Sequence, residues 1–321
     1  MEIFFLFYIF IVGLVFGSFY NVVILRPFSN ESIVMPPSKC PKCNHRLAWY
    51  DNIPVLSYLM LRAKCRYCKE PIHWQYPLVE LTTGILFVCA YIKFGLTWQL
   101  LFMLIALSFF VIMSGTDFKE QVVFDMHTVP FIICGVIYGL VTKNSFDSGV
   151  GMILGLVIME SLRGFGYLIA RKPSFGVGDT YIAVGIGAFL GVKGIILTII
   201  FSVFIQTFWV LPILLIKYIK NKKYSELISI LIFIAIIACY CILKDYNALS
   251  STPLFLFYVI LMVIFAIKVC KELLASIQLP GGGTYLPFGP ALFAGAAIMI
   301  FFGDQIYNFL KNIDLLANVV I

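Results

Sequence analysis

Two groups of residues in this chain have types and spacings suited to chemistry. The first is a set of four cysteines, Cys40-Pro-Lys-Cys43 and Cys65-Arg-Tyr-Cys68, whose two Cys-x-x-Cys pairs are separated by 21 residues. Thiolates in this pattern match the tetrahedral preference of Zn²⁺, each pair supplying two sulfurs from one tight turn. Four cysteines leave no open position for a catalytic water, so such a metal is structural and folds a segment too small to hold its own core. The second group is a pair of carboxylates. Asp117 closes an apolar run in Ser114-Gly-Thr-Asp-Phe-Lys-Glu120, and Asp179 stands in Phe175-Gly-Val-Gly-Asp-Thr-Tyr181, ahead of the apolar, glycine-rich Ile182–Gly191. Two carboxyls brought together in a low-dielectric site cannot both ionise cheaply; the pair can then hold a water between a base and an acid, which is the equipment of an aspartic protease. Either residue alone could instead cap a helix. Asp125 is a rival for the first carboxylate, but it precedes Met126-His127-Thr128 at the start of another apolar run and reads as a helix N-cap. His127 has no histidine at helical spacing and reads as an interfacial residue rather than a metal ligand.

These residues have to be positioned by membrane helices. The chain is 61% hydrophobic and 12% charged, a composition that excludes a water-soluble domain. Apolar runs at Phe4–Leu25, Leu81–Ile92, Leu101–Met113, Val129–Val141, Val150–Ala170, Ile195–Ile216, Leu227–Leu243, Pro253–Ile267 and Phe288–Phe302 suffice, with their flanks, to cross about 30 Å of hydrocarbon. The stretch from Asp179 to about Leu190 is short and glycine-rich, and is predicted to be a short or broken span. The fold class expected is an all-α polytopic membrane protein of eight to ten transmembrane helices with a zinc-stabilised cytoplasmic loop. Residues 26–75 carry eight Lys/Arg against Glu31, Asp51 and Glu70, which puts that loop in the cytoplasm and the N-terminus outside. The net charge of +7 follows from this topology and needs no nucleic-acid partner. The first helix, opening with Glu2 and lacking a small-residue cleavage site, does not read as a cleavable signal. The organisation expected is a first transmembrane helix (1–25), a zinc-binding loop (26–75) and a transmembrane domain bearing the paired aspartates (76–321), with a pair of helices near 226–270.

Taken in order, the motifs resemble the bifunctional type IV prepilin peptidase (leader peptidase/N-methyltransferase) family nearly end to end. They are Gly17-Ser-Phe-Tyr-Asn-Val-Val-Ile-Leu-Arg26, Pro36–Cys43, Trp49-Tyr-Asp-Asn-Ile-Pro-Val-Leu-Ser57, Leu61-Arg-Ala-Lys-Cys65, Tyr76-Pro-Leu-Val-Glu-Leu-Thr-Thr-Gly84, the Asp117 segment, Gly176-Val-Gly-Asp179 and Leu286-Pro-Phe-Gly-Pro290. The resemblance implies a bacterial inner-membrane enzyme that removes the basic leader from type IV prepilins or pseudopilins at the cytoplasmic face. It also implies methylation of the new α-amino group with S-adenosylmethionine. Asp117 and Asp179 occupy the family's catalytic positions, and Cys40, Cys43, Cys65 and Cys68 its zinc positions. No soluble-type glycine-rich strand–turn–helix for S-adenosylmethionine is present; Asn21 and Glu80, polar groups in apolar settings, are candidates for that site or for interhelical hydrogen bonds. The sequence departs from the family's pattern at Ala63, Asn44 and Lys69, where glycine is usual, and Lys69 is uncomfortable if its φ is positive. It also departs at Phe124, where proline is usual, and at Tyr181, where lysine is common. Two other readings stay open at this point: a transporter or assembly scaffold with a structural zinc loop, and an intramembrane aspartic protease without methylation.

Overall fold

The computed structural model describes residues 2–29, 31–142, 144–170, 175–222 and 287–312, with scattered positions between 224 and 268. The helices are α1 (Glu2–Leu25), a short α2 (Leu56–Met60), α3 (Gln75–Phe94), α4 (Trp98–Glu120), α5 (Asp125–Val141), α6 (Ser145–Ala170), α7 (Val177–Lys220) and α8 (Gly289–Asn312). No strand occurs among the described residues, which hold two isolated β-bridges. Six helices (α1, α3, α4, α6, α7 and α8) are long and apolar enough to cross a membrane, and α5, at 17 residues, is shorter. The all-α membrane architecture expected from the apolar runs is therefore present. The count of eight to ten draws on the pair of runs at Leu227–Leu243 and Pro253–Ile267, which lies outside the described residues.

Residues Met1–Leu156, Gly178–Ser202 and Pro287–Ile321 form one compact unit, and Val157–Val177 with Val203–Leu286 a second. Inside the second, Arg163 pairs with Glu160 one helical turn away. The first unit carries every candidate site residue.

Within lipid there is no hydrophobic gain from pressing one apolar helix on another, so close contact depends on small residues that let backbones meet. On α1, Phe4, Tyr8, Ile11, Val15 and Phe19 are exposed along one stripe, where lipid is their natural neighbour. The opposite face holds Gly13 and Gly17, a small-xxx-small pair. A β-carbon at Gly13 would lie 2.7 Å from the Gly84 Cα, and one at Gly17 would lie 2.7 Å from the Glu80 Cα. A third face of α1 meets α4: the Tyr20 hydroxyl donates to Ser108 Oγ at 2.6 Å, and Ile24 fills the space that a side chain at Gly115 would need. Tyr20, Val23, Ile24, Val79, Val111 and Ile112 close this three-helix core. Gly17→Leu should therefore drive α1 off α3, with a loss of more than about 3 kcal/mol because backbone, not a movable side chain, is in the way. Thermal unfolding in detergent, compared with Val15→Leu on the exposed stripe, checks this.

The glycine-rich stretch after Asp179 is explained the same way. Gly151 and Gly155 of α6 meet Gly187 and Ala183 of α7 backbone to backbone. Helix α7 is broken at Gly191, whose φ of 67° and ψ of −170° suit only glycine. The Asp147 carboxylate sits where a β-carbon at Gly191 would project and accepts from Val192 N at 3.3 Å, capping the helix that restarts there. The broken span expected between Asp179 and Leu190 is thus the first arm of α7.

Candidate active site and metal centre

The loop between α1 and α3 is built from one hairpin used twice. In the first copy, Leu47 N donates to Ser38 O at 2.9 Å, Lys39 bridges Arg46, Cys40 N donates to His45 O at 3.0 Å, and Asn44 N returns to Cys40 O at 2.9 Å. Each bond recurs 25 positions later: Ile72 N to Ala63 O at 2.7 Å, Lys64 opposite Pro71, Cys65 N to Glu70 O at 2.8 Å, and Lys69 N to Cys65 O at 3.0 Å. The tight turn requires a left-handed residue just after the second cysteine, and Asn44 (φ 56°) and Lys69 (φ 61°) take that conformation. Ala63 (φ 58°) is also left-handed, so all three positions hold a conformation that favours glycine with other residues.

The two hairpins place the sulfurs of Cys40, Cys43, Cys65 and Cys68 within 4.8 Å of one another, with Cys40 Sγ 3.8 Å from Cys68 Sγ. Four sulfurs each about 2.3 Å from a tetrahedral centre stand about 3.8 Å apart, so the cluster fits a metal ion of zinc's size and needs no disulfide; all four cysteines are free thiols. The Cys65 thiol is lowered to about 7, chiefly by the Cys68 backbone N–H, with smaller help from Tyr67 N–H and the neighbouring thiols. For Cys68 the Glu70 backbone N–H works downward, but desolvation and the surrounding cysteines outweigh it and push the thiol up to about 12. A second link ties the copies together: Asp51, its side chain 2% exposed, accepts from Arg66 Nε at 2.7 Å, and the His45 and Tyr67 rings lie 3.6 Å apart.

Both candidate aspartates are buried. Asp117 is 5% and Asp179 6% exposed, whereas Asp125 is exposed to solvent. Asp117 lies in the last turn of α4, which ends where Gln121 turns left-handed (φ 56°) and donates to Asp117 O at 2.8 Å. Asp179 lies in the first turn of α7. Gly178 brings that turn against the connection that follows α4: a β-carbon there would lie 2.8 Å from Val123 Cβ. A third element completes the arrangement. Gly289 N, at the start of α8, donates to Asp117 Oδ2 at 3.0 Å, and a β-carbon at Gly289 would stand 2.6 Å from that oxygen. Two helix N-termini, those of α7 and α8, thus carry their partial positive charge to the two carboxylates.

Several sequence readings are refined here. Asp125 opens α5 but Phe124 holds the N-cap position, and no side-chain cap is made; with α5 following α4 after so short a connection, the aromatic packs inward against Phe28 and leaves the carboxylate in solvent. His127 is buried: it is 5% exposed, packed edge-on against Phe124, with Nε2 unpartnered among the described residues. Asn21 does make an interhelical bond, donating Nδ2 to Tyr76 O at 3.1 Å. Glu80 is bonded both across the helices, to the Ser18 hydroxyl of α1, and to the loop, accepting from Val55 N at 2.7 Å. The sequence carries no sign of Gly289 as the partner of Asp117: the Pro-Phe-Gly-Pro stretch marks a helix start but does not say what its amide meets.

Residues 11–94 match the bacterial peptidase A24 N-terminal domain, and residues 104–211 match the type IV leader peptidase family. The chain is 36% identical over 192 residues to the prepilin leader peptidase/N-methyltransferase of Klebsiella pneumoniae, covering 57% of this chain and 84% of that protein. The chain belongs to the type IV leader peptidase family. Another family member, the prepilin leader peptidase/N-methyltransferase of Xanthomonas campestris, is 34% identical over 215 residues, covering 59% of this chain and 75% of its own length. A third, of the same description in Myxococcus xanthus, is 38% identical over 197 residues; there the match covers 61% of this chain and 59% of the relative. No solved structure matches the chain. The first matched family segment contains all four clustered cysteines, and the second both aspartates.

Proposed function

We propose that this protein is an integral-membrane aspartic endopeptidase of the bacterial inner membrane that removes the basic leader from type IV prepilins or pseudopilins and methylates the new N-terminus. The observation that carries the reading is the burial of Asp117 and Asp179 at two helix ends, inside the segment matched to the leader peptidase family. The eight basic residues between 26 and 75 argue that this end of the bundle faces the cytoplasm, where a positively charged leader remains while the apolar pilin helix stays in lipid.

Asp117 and Asp179 act as a dyad sharing one proton. The ionised member takes a proton from water as that water attacks the Gly–Phe carbonyl; the protonated member delivers its proton to the departing amine. The titration belongs to the pair rather than to either residue. Gly289 N–H fixes the orientation of the Asp117 carboxylate and leaves its other oxygen for the water. The four cysteines hold Zn²⁺, which pins the loop and supplies no chemistry to the peptide bond. S-adenosylmethionine, when bound, supplies the methyl group; the loop between α1 and α3 and the helix ends beneath it are the polar surroundings for it.

Purified protein in nanodiscs, given a full-length prepilin with and without S-adenosylmethionine, tests this. Intact-mass spectrometry should find leader loss in both reactions and one added methyl only with the donor. Unprocessed prepilin in both would overturn the peptidase reading.

A further inference from the structure

We propose that Asn21 and Glu80 form the site that holds the substrate's newly exposed primary amine for methyl transfer, with Glu80 accepting its proton. The inference rests on the methyl-transfer half of the function proposed above. It begins from a buried atom with nothing to bond. Asn21 is 2% exposed, and its Nδ2 donates to Gly17 O at 3.3 Å and to Tyr76 O at 3.1 Å. Two carbonyls on one side fix the amide orientation, since a flipped amide would set oxygen against oxygen. Oδ1 therefore faces the other way, where it is buried and has no partner among the described residues. A desolvated acceptor is costly unless a donor reaches it, so this oxygen marks a place for one.

The neighbouring polar group is also an acceptor. On α1, Gly17 and Asn21 are one turn apart; on α3, Tyr76 and Glu80 are one turn apart. Gly17 lies directly against Glu80, and Asn21 bonds Tyr76, so Asn21 and Glu80 lie one turn apart along the contact between the two helices. The Glu80 carboxylate is itself held in place by the Ser18 hydroxyl of α1 and from the loop. Val55 N donates to Glu80 Oε2 from a turn in which Leu56 N bonds Pro54 O at 2.5 Å and Val55 has φ 60° and ψ −47°. This is the strained hand of the γ-turn, on a β-branched residue, and such strain persists where the surroundings hold a functional geometry.

A carboxylate and an unpartnered amide oxygen one helical turn apart along the α1–α3 contact suit a group that only donates and is cationic, which describes a primary ammonium. They repel phosphate and carboxylate ligands, and the closeness of α1 and α3 at Gly17 suits the slender end of a peptide better than a nucleoside. The location fits as well. The other side of α1 meets α4, Ile24 packing against Gly115 two residues before Asp117. The amine freed at the aspartates thus has only the width of one helix, about 10 Å, to cross. There the ammonium gives one proton to Glu80. Its freed lone pair then bonds the methyl carbon while the carbon–sulfur electron pair stays on the sulfonium donor's sulfur. The peptide leaves as a secondary ammonium, the donor as a neutral thioether, and Glu80 releases its proton to solvent.

The test uses the full chain in nanodiscs and a mature-pilin peptide beginning with Phe, carrying either a free or an acetylated N-terminus, with no methyl donor present. The free-amine peptide should bind about tenfold more tightly. Glu80→Gln keeps an oxygen for Val55 N–H but removes the charge; it should reduce that preference to less than about twofold. With full-length prepilin and the methyl donor, its methylation rate should fall at least about 100-fold more than its cleavage rate, as expected for loss of a proton acceptor. Asn21→Ala should also lose methylation more than cleavage, cleavage reporting that the bundle has folded. Equal binding of the two peptides by the unmodified protein overturns the amine site, as do variants whose methylation and cleavage fall together. An unmodified protein that cleaves without adding a methyl overturns the methyltransferase reading instead, and the peptide comparison still judges the site.

Discussion

Replacing Asp117 or Asp179 by asparagine should abolish leader cleavage, with a loss of at least about 10³-fold for either variant. In the proposed dyad one member accepts a proton from water while the other donates one to the leaving amine, and each such transfer contributes about 10²–10⁴-fold. An asparagine at either position can do neither. Its amide also places a donor where Asp117 Oδ2 now accepts from Gly289 N, but the side chain can turn its oxygen to that amide, so folding is preserved. Asp125→Asn serves as the control: that carboxylate is exposed and caps nothing, so cleavage should change by less than about twofold. Full processing of prepilin by either of the first two variants, measured by intact mass in reconstituted membranes, would remove the dyad from the mechanism.

Replacing Cys40 and Cys65 together by serine removes one sulfur from each hairpin and should release all bound zinc from a protein that otherwise carries about one ion per chain. The hairpins have few buried apolar residues of their own, and Lys69 and Ala63 already sit in a conformation that costs a non-glycine residue about 1–2 kcal/mol each. Without the metal the loop should open, read as new protease cleavage between residues 26 and 75. The pH dependence has a definite sign. Cys68 keeps its proton far above neutrality, and Cys65 loses its proton near 7, so zinc must displace protons and its affinity weakens on acidification, more steeply below about pH 7. Elemental analysis across a pH series, after dialysis against a weak chelator, checks both statements. A protein that retains zinc after the double substitution, or a disulfide between these cysteines, would sink the four-thiolate assignment.

Much of this site is legible along the chain because its signals are local. A Cys-x-x-Cys pair commits two sulfurs to one turn whatever surrounds it, and two such pairs define the ligand set. An apolar run of membrane length has few alternatives to a helix, so α1, α3, α4 and α6 were placed by composition. The two aspartates stood out because a charge at an apolar boundary is expensive unless used. Asp125 was harder: its local setting matches that of Asp117, and what separates them is that one packs beneath α8 while the other faces solvent.

The amino-acid order therefore fixes the set of parts: membrane helices, a four-thiolate loop, one carboxylate closing an apolar run and another opening a later one, and a glycine-rich arm that must break. Which distant groups meet depends on how the helices pack. Gly289 lies 172 positions from the carboxylate it hydrogen-bonds, and Glu80 lies 25 positions from the strained Val55 whose amide it holds. Neither pairing has a periodic or compositional signature, because a backbone N–H is the same in every residue but proline. Its partner is settled by where helix packing carries it. Gly13, Gly17, Gly151 and Gly155 set that packing: in a bilayer, where burying apolar surface drives nothing, the absence of a side chain decides which helices touch and so which polar atoms are left facing one another.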